Sequence, residues 1–334
     1  MHKLFSAGFL TLLGTIFSTY SQAMVYDLAN KPYSQAPWAA PYIQKGLAPW
    51  VFVDFDESMQ TNLYPNEIAT TTRITGIDGK LLYHSLKGLY NKNNLSNILP
   101  SKELHIPKII HQIWLGSPVP ECFKAYMTSW VQFHLDGWQY MLWTEKEINA
   151  LELYNKKYYD ETDNYGIKAD MARVEILYQY GGVYVETDFE CLRPLDILHY
   201  TYDFYIGIQP LDSQFLQLGI GIMGSCAGHP ILKHSIETIK DDWHEKGAPK
   251  KTGPVHFTRS FFLMSDLNGM IDIALPASYF YPLGCYQKTF EKDDWIIKGA
   301  FGIHWWAKSW MPAHYRPYKF KSIPNEESTQ SWNK

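Results

Sequence analysis

The sequence predicts an α/β fold, in which a mostly parallel sheet is flanked by helices on both faces. The first observation is that apolar, strand-like segments alternate with helix-like segments from Ile106 onwards. The second is the stretch from Lys168 to Asp196, where a helical pattern, a glycine pair and a short apolar strand follow one another. Such alternation is typical of strands joined by crossover helices.

Composition narrows the classes of partner. The chain has 334 residues, 46% of them hydrophobic and 19% charged, as expected of a folded globular protein. Its formal net charge of -4 gives no electrostatic reason to expect nucleic acid as a partner, because phosphate binding needs a clustered basic face. The aromatic share of 16% is high and favours stacking on a sugar or a base.

The N-terminus has the pattern of a secretory signal peptide over residues 1–23. His2 and Lys3 precede an apolar run, and Ser21-Gln22-Ala23 offers a small-residue cleavage site. We therefore predict a protein that is secreted or resides in the secretory pathway. The alternative is an uncleaved segment that anchors the protein to a membrane.

The remainder divides into three parts by composition. An N-terminal extension at 24–103 is expected to have a packing role, a main domain follows at 104–320, and a tail occupies 321–334. The four cysteines lack the paired spacing of a metal site. They are either buried free thiols or joined in one of three disulfide pairings.

The main domain is expected to open with the strand IPKIIHQIWLG at 106–116, followed by a proline-containing turn. Gln112 and Trp114 would lie near its carboxyl end, where ligands of open α/β sheets bind. The flat face of Trp114 either stacks on a nucleobase or belongs to the core. A helix, a strand at 140–144 and a second helix then lead to the central stretch.

The central stretch begins with a predicted helix. Met171, Val174 and Tyr178 recur at the spacing of one helix face, and Gly181-Gly182 marks the helix end. The β-branched and aromatic residues 183–185 then predict a buried strand.

Charged residues lie on both sides of that strand. Asp170 and Arg173 are three residues apart and share a helix face, either as a surface ion pair or as ligand contacts. Glu186, Asp188 and Glu190 alternate after the strand, which in an extended chain places them on one side. Such hard oxygen ligands favour a divalent cation such as Mg²⁺ or Mn²⁺, and the alternative is a solvated acidic rim.

Further elements are expected downstream. We predict two strands within 204–224, a helix from His229-Pro230 to about Glu245, a turn at 252–254 before another helix, and a strand at 280–283. The block GIHWWAKSW at 302–310 contains His304, which ligates a metal, binds a phosphate or lies in the core.

In this order, the blocks resemble the DXD-containing sugar-transferase family, glycosyltransferase family 32. That family includes fungal α-1,6-mannosyltransferases and inositol-phosphoceramide mannosyltransferases, and the glucosylating domains of large clostridial toxins are similar more distantly. The matching blocks are IPKIIHQIWLG, KADMARVEILYQYGGVYVETDFECLRPLD, TGPVHFT and IHWWAKSW. The resemblance implies a GT-A fold, a nucleotide-sugar donor, and a divalent metal, usually Mn²⁺ with Mg²⁺ as the alternative.

The resemblance also implies roles for individual residues. Trp114 would stack on the donor base, Asp170 would hold the ribose or donor sugar, and Arg173 would contact the sugar and pyrophosphate. Gln112 and Tyr184 join the donor-binding set. Glu186 and Asp188 stand where the family has its two aspartates, with Asp188 as the direct metal ligand and both counted with Arg173 as catalytic. His304, Ser309 and Trp310 would close over the pyrophosphate, with His304 as a further metal contact.

The implied activity is retaining transfer of a mannose- or glucose-type hexose from a GDP- or UDP-sugar to a glycan, lipid or protein. No carboxylate is obviously placed as a covalent nucleophile, so front-face attack by the acceptor hydroxyl is the working mechanism. Glu186 departs from the family's aspartate, and an inactive homologue is therefore one alternative. A secreted carbohydrate-binding protein with a calcium site is another. A metal-dependent hydrolase or nuclease is a further alternative, although the spacing shows no clear general base near the metal.

Overall fold

The computed structural model describes residues 36–60, 75–134, 137–210, 216–267, 269–284 and 292–309. The predicted signal segment at 1–23, Cys285, Trp310 and the tail at 321–334 lie outside these ranges. Within them, no helix has both the length and the apolarity needed to cross a bilayer.

Eight strands and twelve helices make up the described part of the chain. The strands are β1 (Ile109–Ile113), β2 (Gln139–Trp143), β3 (Gly182–Val185), β4 (Phe189–Cys191), β5 (Phe204–Ile208), β6 (Leu218–Ser225), β7 (Asp272–Leu275) and β8 (Gly302–His304). The helices are α1 (Ala40–Lys45), α2 (Phe55–Gln60), α3 (Gly79–Asn93), α4 (Glu121–Phe133), α5 (Glu145–Asn149), α6 (Lys156–Glu161), α7 (Tyr165–Tyr180), α8 (Asp196–His199), α9 (Pro230–Asp242), α10 (Ala248–Lys251), α11 (Pro254–Met264) and α12 (Lys292–Ile297).

Six strands form one central sheet in the order β2-β1-β3-β6-β5-β7. The pairs β1–β2, β1–β3 and β5–β7 are parallel, while β6 pairs antiparallel with both of its neighbours. Five strands therefore run in one direction and β6 runs in the other. This mixed α/β sheet flanked by helices confirms the predicted fold class.

A second, two-stranded sheet joins distant parts of the chain. β4 pairs antiparallel with β8, and Phe189 lies opposite His304. Because β4 follows the end of β3 after a short turn, this pairing places the C-terminal strand beside the carboxyl edge of the central sheet.

The helix and strand at the centre of the chain form as predicted. α7 begins after Asn164, whose side chain accepts a hydrogen bond from the Ile167 amide over 3.1 Å, as an N-cap does. It ends at Gly181, and Gly182 follows with φ 97°. A Cβ on Gly182 would lie 2.6 Å from the carbonyl oxygen of Ile109, so only glycine allows β3 to approach β1 this closely.

The N-terminal extension packs into the same core as the sheet. Trp50 stacks on Tyr279 with ring centroids 4.6 Å apart, and Asn93 donates to the carbonyl of Asp272 on β7 over 2.8 Å. The described part of the extension thus packs against residues of the central sheet and of the turn that follows β7.

Two details differ from the sequence prediction. The strand expected at 280–283 is wrong, because the strand in this region is β7 and a 3₁₀ turn at Ala277–Tyr279 follows it. Phe280 and Tyr281 are buried for side-chain packing. Cys191 is buried, whereas Cys226 is half-buried and Cys122 is exposed; Cys191 and Cys226 are free thiols.

Three buried histidines form hydrogen bonds that join separate elements of the fold. The Trp143 indole donates to Nδ1 of His111 over 3.1 Å, and the other ring nitrogen of His111 lies 2.9 Å from the Gly181 carbonyl. His134 likewise accepts from the Leu195 amide over 2.9 Å.

His199 bridges the Ile106 carbonyl and the Tyr205 hydroxyl over 3.1 and 3.0 Å. Burial lowers the pKa of His111 and of His134 to about 4, and that of His199 to about 3. Each ring is therefore neutral near pH 7.

We expect the free energy of unfolding to fall as the pH drops from about 6.5 to about 4. Below pH ~6.5 the unfolded chain binds protons at these histidines, while the folded chain does not. Each histidine then contributes a loss of up to about 1.4 kcal/mol per pH unit. Urea unfolding at a series of pH values measures this slope.

The matched variants are His199→Gln and His84→Gln, since His84 is exposed on α3. His199→Gln should flatten the slope and His84→Gln should leave it unchanged. Equal slopes in both variants would contradict the assignment of neutral, buried histidines.

Candidate functional site

The acids after β3 meet through a turn. The amide of Phe189 donates to the carbonyl of Glu186 over 3.0 Å, so the chain reverses at Thr187-Asp188. The extended run predicted for residues 186–190 is therefore wrong. Glu190 points away from the other two acids, accepts from the Trp305 indole over 3.1 Å and pairs with Lys292.

His304 lies between the two remaining acids. Its Nε2 is 3.0 Å from Oε2 of Glu186 and 3.2 Å from Oδ1 of Asp188. One donor atom from each of the three side chains lies within 4.8 Å of the others. Two carboxylates supply the hard oxygen ligands that suit Mg²⁺ or Mn²⁺, and the imidazole adds a nitrogen ligand, so this donor set fits a divalent metal.

Aromatic rings hold the His304 side chain in place. The Phe189 ring stacks on it at 5.1 Å and 12°, and Trp306 lies 4.3 Å away between centroids. Burial by itself would lower the pKa of His304, but Asp188 and Glu186 raise it well above its usual range. Its Nδ1 is buried without a hydrogen-bond partner among the described residues.

Arg173 connects this cluster to α7. It donates to Glu186 over 2.9 Å and to the Ile220 carbonyl over 2.8 Å, and it pairs with Asp170 at 3.0 Å. Its guanidinium lies 4.4 Å from the Tyr184 ring centroid. The side chains of Arg173 and Asp170 are only 4% and 11% exposed, which excludes the surface ion pair considered above.

Asp170 lies on the side of Arg173 opposite to Glu186. Its Oδ2 accepts from the Thr252 hydroxyl over 3.1 Å. Burial raises the pKa of Asp170 to about 6, although the positive charge of Arg173 acts in the opposite direction. The five side chains thus form a row of alternating charge, in the order Asp170, Arg173, Glu186, His304 and Asp188.

Gln112 and Tyr184 are buried and contact residues of this charged row. Gln112 is fully buried, donates to the Glu186 carbonyl over 3.3 Å and accepts from the Tyr140 hydroxyl. Tyr184 is buried against Arg173. Gln112 therefore holds the acidic turn, Glu186-Thr187-Asp188, and Tyr184 packs against the guanidinium of Arg173.

Trp114 lies at the other end of the site. It is half-buried, packs against Phe123 at 5.0 Å between centroids, and donates to the Ser117 hydroxyl over 3.2 Å. The small apolar cluster it belongs to also contains Ala307 and Trp305. The structure thus brings Trp114 next to the C-terminal segment.

The segment after β8 binds Asp188 directly. The amide of Ala307 donates to Oδ2 of Asp188 over 2.7 Å, and the amide of Trp305 donates to its carbonyl over 3.0 Å. Trp306 and Lys308 both have φ of 52°, a left-handed conformation that is costly for residues other than glycine. Ser309 follows, half-buried, and Trp310 lies outside the described residues.

Some site residues carried a weak sequence signal that the predictions above did not use. Gly219 and Gly221 alternate along β6, so that both face the same side of the sheet. A Cβ on Gly219 would lie 2.2 Å from the Tyr281 hydroxyl, and a Cβ on Gly221 would lie 2.9 Å from Glu186. Regular glycines in a buried strand indicate that other side chains occupy that space.

Chemically, the arrangement can bind a cation next to a buried guanidinium. Most N–H groups of Arg173 already point to Asp170, Glu186 and backbone carbonyls, so its charge and its hold on Glu186 are its main contributions. Such a site stabilises negative charge on a bound ligand.

The sequence matches a known family model over this region. Residues 120–205 match the model described as "Glycosyltransferase sugar-binding region containing DXD motif". Inositol phosphoceramide mannosyltransferase 2 of Schizosaccharomyces pombe is 32% identical over 223 residues, which cover 62% of this chain and 63% of the relative. Mannosyl phosphorylinositol ceramide synthase SUR1 of Saccharomyces cerevisiae is 32% identical over 162 residues, covering 47% of this chain and 40% of the relative.

The matches are partial in length. The chain spans 33%, 41% and 63% of three inositol phosphoceramide mannosyltransferases of S. pombe, less than two-thirds of each. A solved structure titled PaToxG glycosyltransferase superposes with a TM-score of 0.42 at 16% identity, over 55% of this chain and 77% of that chain.

The matched region contains Asp170, Arg173, Glu186 and Asp188, the residues whose motif carried the resemblance in the sequence. That resemblance is confirmed. Through residues 120–205 the chain is similar to the DXD-motif sugar-transferase family.

Proposed function

We propose that this protein is a metal-dependent hexosyltransferase that transfers mannose from a GDP- or UDP-sugar to a glycolipid. The observation that carries the proposal is the convergence of Glu186, Asp188 and His304 beside the Asp170–Arg173 pair, inside the matched region. The relatives are named for mannosyl transfer to inositol phosphoceramide, which supports mannose as the sugar and a phosphoinositol sphingolipid as the acceptor.

In this proposal Glu186, Asp188 and His304 hold a divalent cation, Mn²⁺ rather than Mg²⁺ because an imidazole is among the ligands. When bound, the cation neutralises the diphosphate of the donor and of the leaving nucleotide. Arg173 adds a fixed positive charge behind Glu186 and keeps its carboxylate oriented. Asp170 lies next to Arg173, where it orients the donor sugar or ribose.

The C-terminal segment completes the donor site. Trp114 offers a ring for the base, and Ser309 lies on the segment whose Ala307 amide binds Asp188, while Trp310 is the next residue in the sequence. Both Asp170 and Glu186 are paired with Arg173, and in this proposal neither acts as a covalent nucleophile. Retention then follows from attack by the acceptor hydroxyl on the face that the diphosphate leaves, with the hydroxyl proton passing to the departing diphosphate.

The predicted signal segment supports residence in the secretory pathway, where the donor must also be present. The alternatives are an inactive homologue and a carbohydrate-binding protein that does not use a nucleotide. Donor binding and transfer distinguish them.

We expect Mn²⁺ together with GDP or UDP to raise the melting temperature of the full chain. Ligand at 100 times its Kd adds about 2.7 kcal/mol to the free energy of unfolding. Asp188→Asn should abolish the shift, because it removes a charged ligand. Differential scanning fluorimetry with and without Mn²⁺ measures it.

The control is Asp241→Asn, since Asp241 is exposed on α9 and distant in sequence from the site. This variant should respond like the unmodified protein. The absence of a shift with either nucleotide in the presence of Mn²⁺ would rule out the transferase proposal.

We expect transfer of labelled mannose to a phosphoinositol sphingolipid in detergent micelles. Asp188→Asn should lower kcat by about 100-fold or more, because stabilisation of the leaving diphosphate is lost. Screening GDP- and UDP-sugars with Mn²⁺ identifies the donor. Donor hydrolysis without transfer to the lipid would keep the transferase chemistry but contradict the proposed acceptor, and binding of sugar without any turnover would support the carbohydrate-binding alternative.

A further inference from the structure

Gly221 lies directly beside the departure from the family motif. The amide of Glu186 donates to the Gly221 carbonyl over 2.8 Å, which fixes the two residues next to each other where β3 meets β6. A Cβ on Gly221 would lie 2.9 Å from Oε2 of Glu186 and 3.3 Å from its carboxyl carbon. The same Cβ would lie 3.3 Å from the Tyr281 hydroxyl. The end of the Glu186 side chain therefore occupies the space that a side chain at position 221 would need.

The Glu186 carboxylate is held by contacts on two sides. Its Oε1 accepts from Arg173 over 2.9 Å, and its Oε2 lies 3.0 Å from Nε2 of His304. The Tyr281 hydroxyl, which borders the same space, is held by the Gly219 carbonyl over 2.8 Å. Moving the carboxylate away from position 221 would lengthen its contact with His304 or with Arg173.

We propose that Gly221 is a positioning residue that allows glutamate to take the first acidic position of the motif. Glutamate is one methylene longer than the aspartate of the family pattern, and the missing side chain at 221 provides room for the longer acid. This inference rests on the proposed metal site. It predicts that the residues at 186 and 221 depend on each other. Glutamate at 186 requires glycine at 221, whereas aspartate at 186 is compatible with a side chain at 221.

A purely structural role for Gly221 predicts that Gly221→Ala lowers the melting temperature, whereas a positioning role does not. The atoms that an added methyl would meet are the end of a flexible side chain, so the fold can accommodate the methyl at little cost. Alanine is also no worse than glycine in a strand interior. Gly221→Ala should therefore leave the melting temperature nearly unchanged while it displaces the carboxylate from the metal site.

The test is Mn²⁺ affinity of the full chain, measured by electron paramagnetic resonance without nucleotide or turnover. We expect Gly221→Ala and Glu186→Asp each to weaken Mn²⁺ binding by about 10- to 100-fold, as changes next to metal ligands typically do. In the double variant the two effects should not multiply, because the shorter acid no longer meets the methyl. Unchanged affinity in Gly221→Ala, or a double variant whose loss is the product of the single losses, would overturn the proposal.

The control substitution is Gly88→Ala, at an exposed position of α3 where an added Cβ meets nothing within 4 Å. It should leave Mn²⁺ affinity unchanged. If the unmodified protein binds no Mn²⁺, the proposed metal site fails, and the NMR resonances of the His304 imidazole then test Gly221 separately. They should shift in Gly221→Ala and return towards those of Glu186→Asp in the double variant. Resonances unaffected by Gly221→Ala would overturn the positioning role on their own.

Discussion

The buried guanidinium of Arg173 is the interaction on which the rest of the site depends. It joins α7 to the turn after β3 through Glu186, and to β6 through the Ile220 carbonyl. A buried charge is tolerated only when it is paired and hydrogen-bonded, and removing one partner of such a pair costs about 3–5 kcal/mol. Asp170 and Glu186 satisfy Arg173 from two sides, and they in turn are held in fixed orientations. The position of the acidic turn is thus set by a contact made in the interior.

The local part of this arrangement could be predicted from the sequence. The helical spacing of Asp170 and Arg173, the glycine pair and the apolar strand are patterns within a few neighbouring residues, and each has a direct physical cause. The sequence also predicted the sheet, because strand and helix patterns alternate along it.

The rest depends on contacts between residues far apart in the chain. A lone histidine is compatible with several roles, and only the pairing of β4 with β8 brings His304 to the acids. The strand predicted at 280–283 is wrong for the same reason. Phe280 and Tyr281 are buried by side-chain packing and not by strand pairing, and the local sequence does not distinguish the two. The fit between Gly221 and Glu186 likewise exists only once β3 and β6 are adjacent.

The pairing of β4 with β8 also has a consequence for biosynthesis. His304 and the Ala307 amide that binds Asp188 lie near the end of the described chain, whereas both acids lie near its middle. A ribosome makes the acids long before it makes the imidazole. The complete donor set therefore first exists once residue 304 has been made, and a nascent or truncated chain that stops before residue 302 carries the acids alone. Under the proposed function, metal binding through all three side chains would report that β8 has been made and has paired with β4.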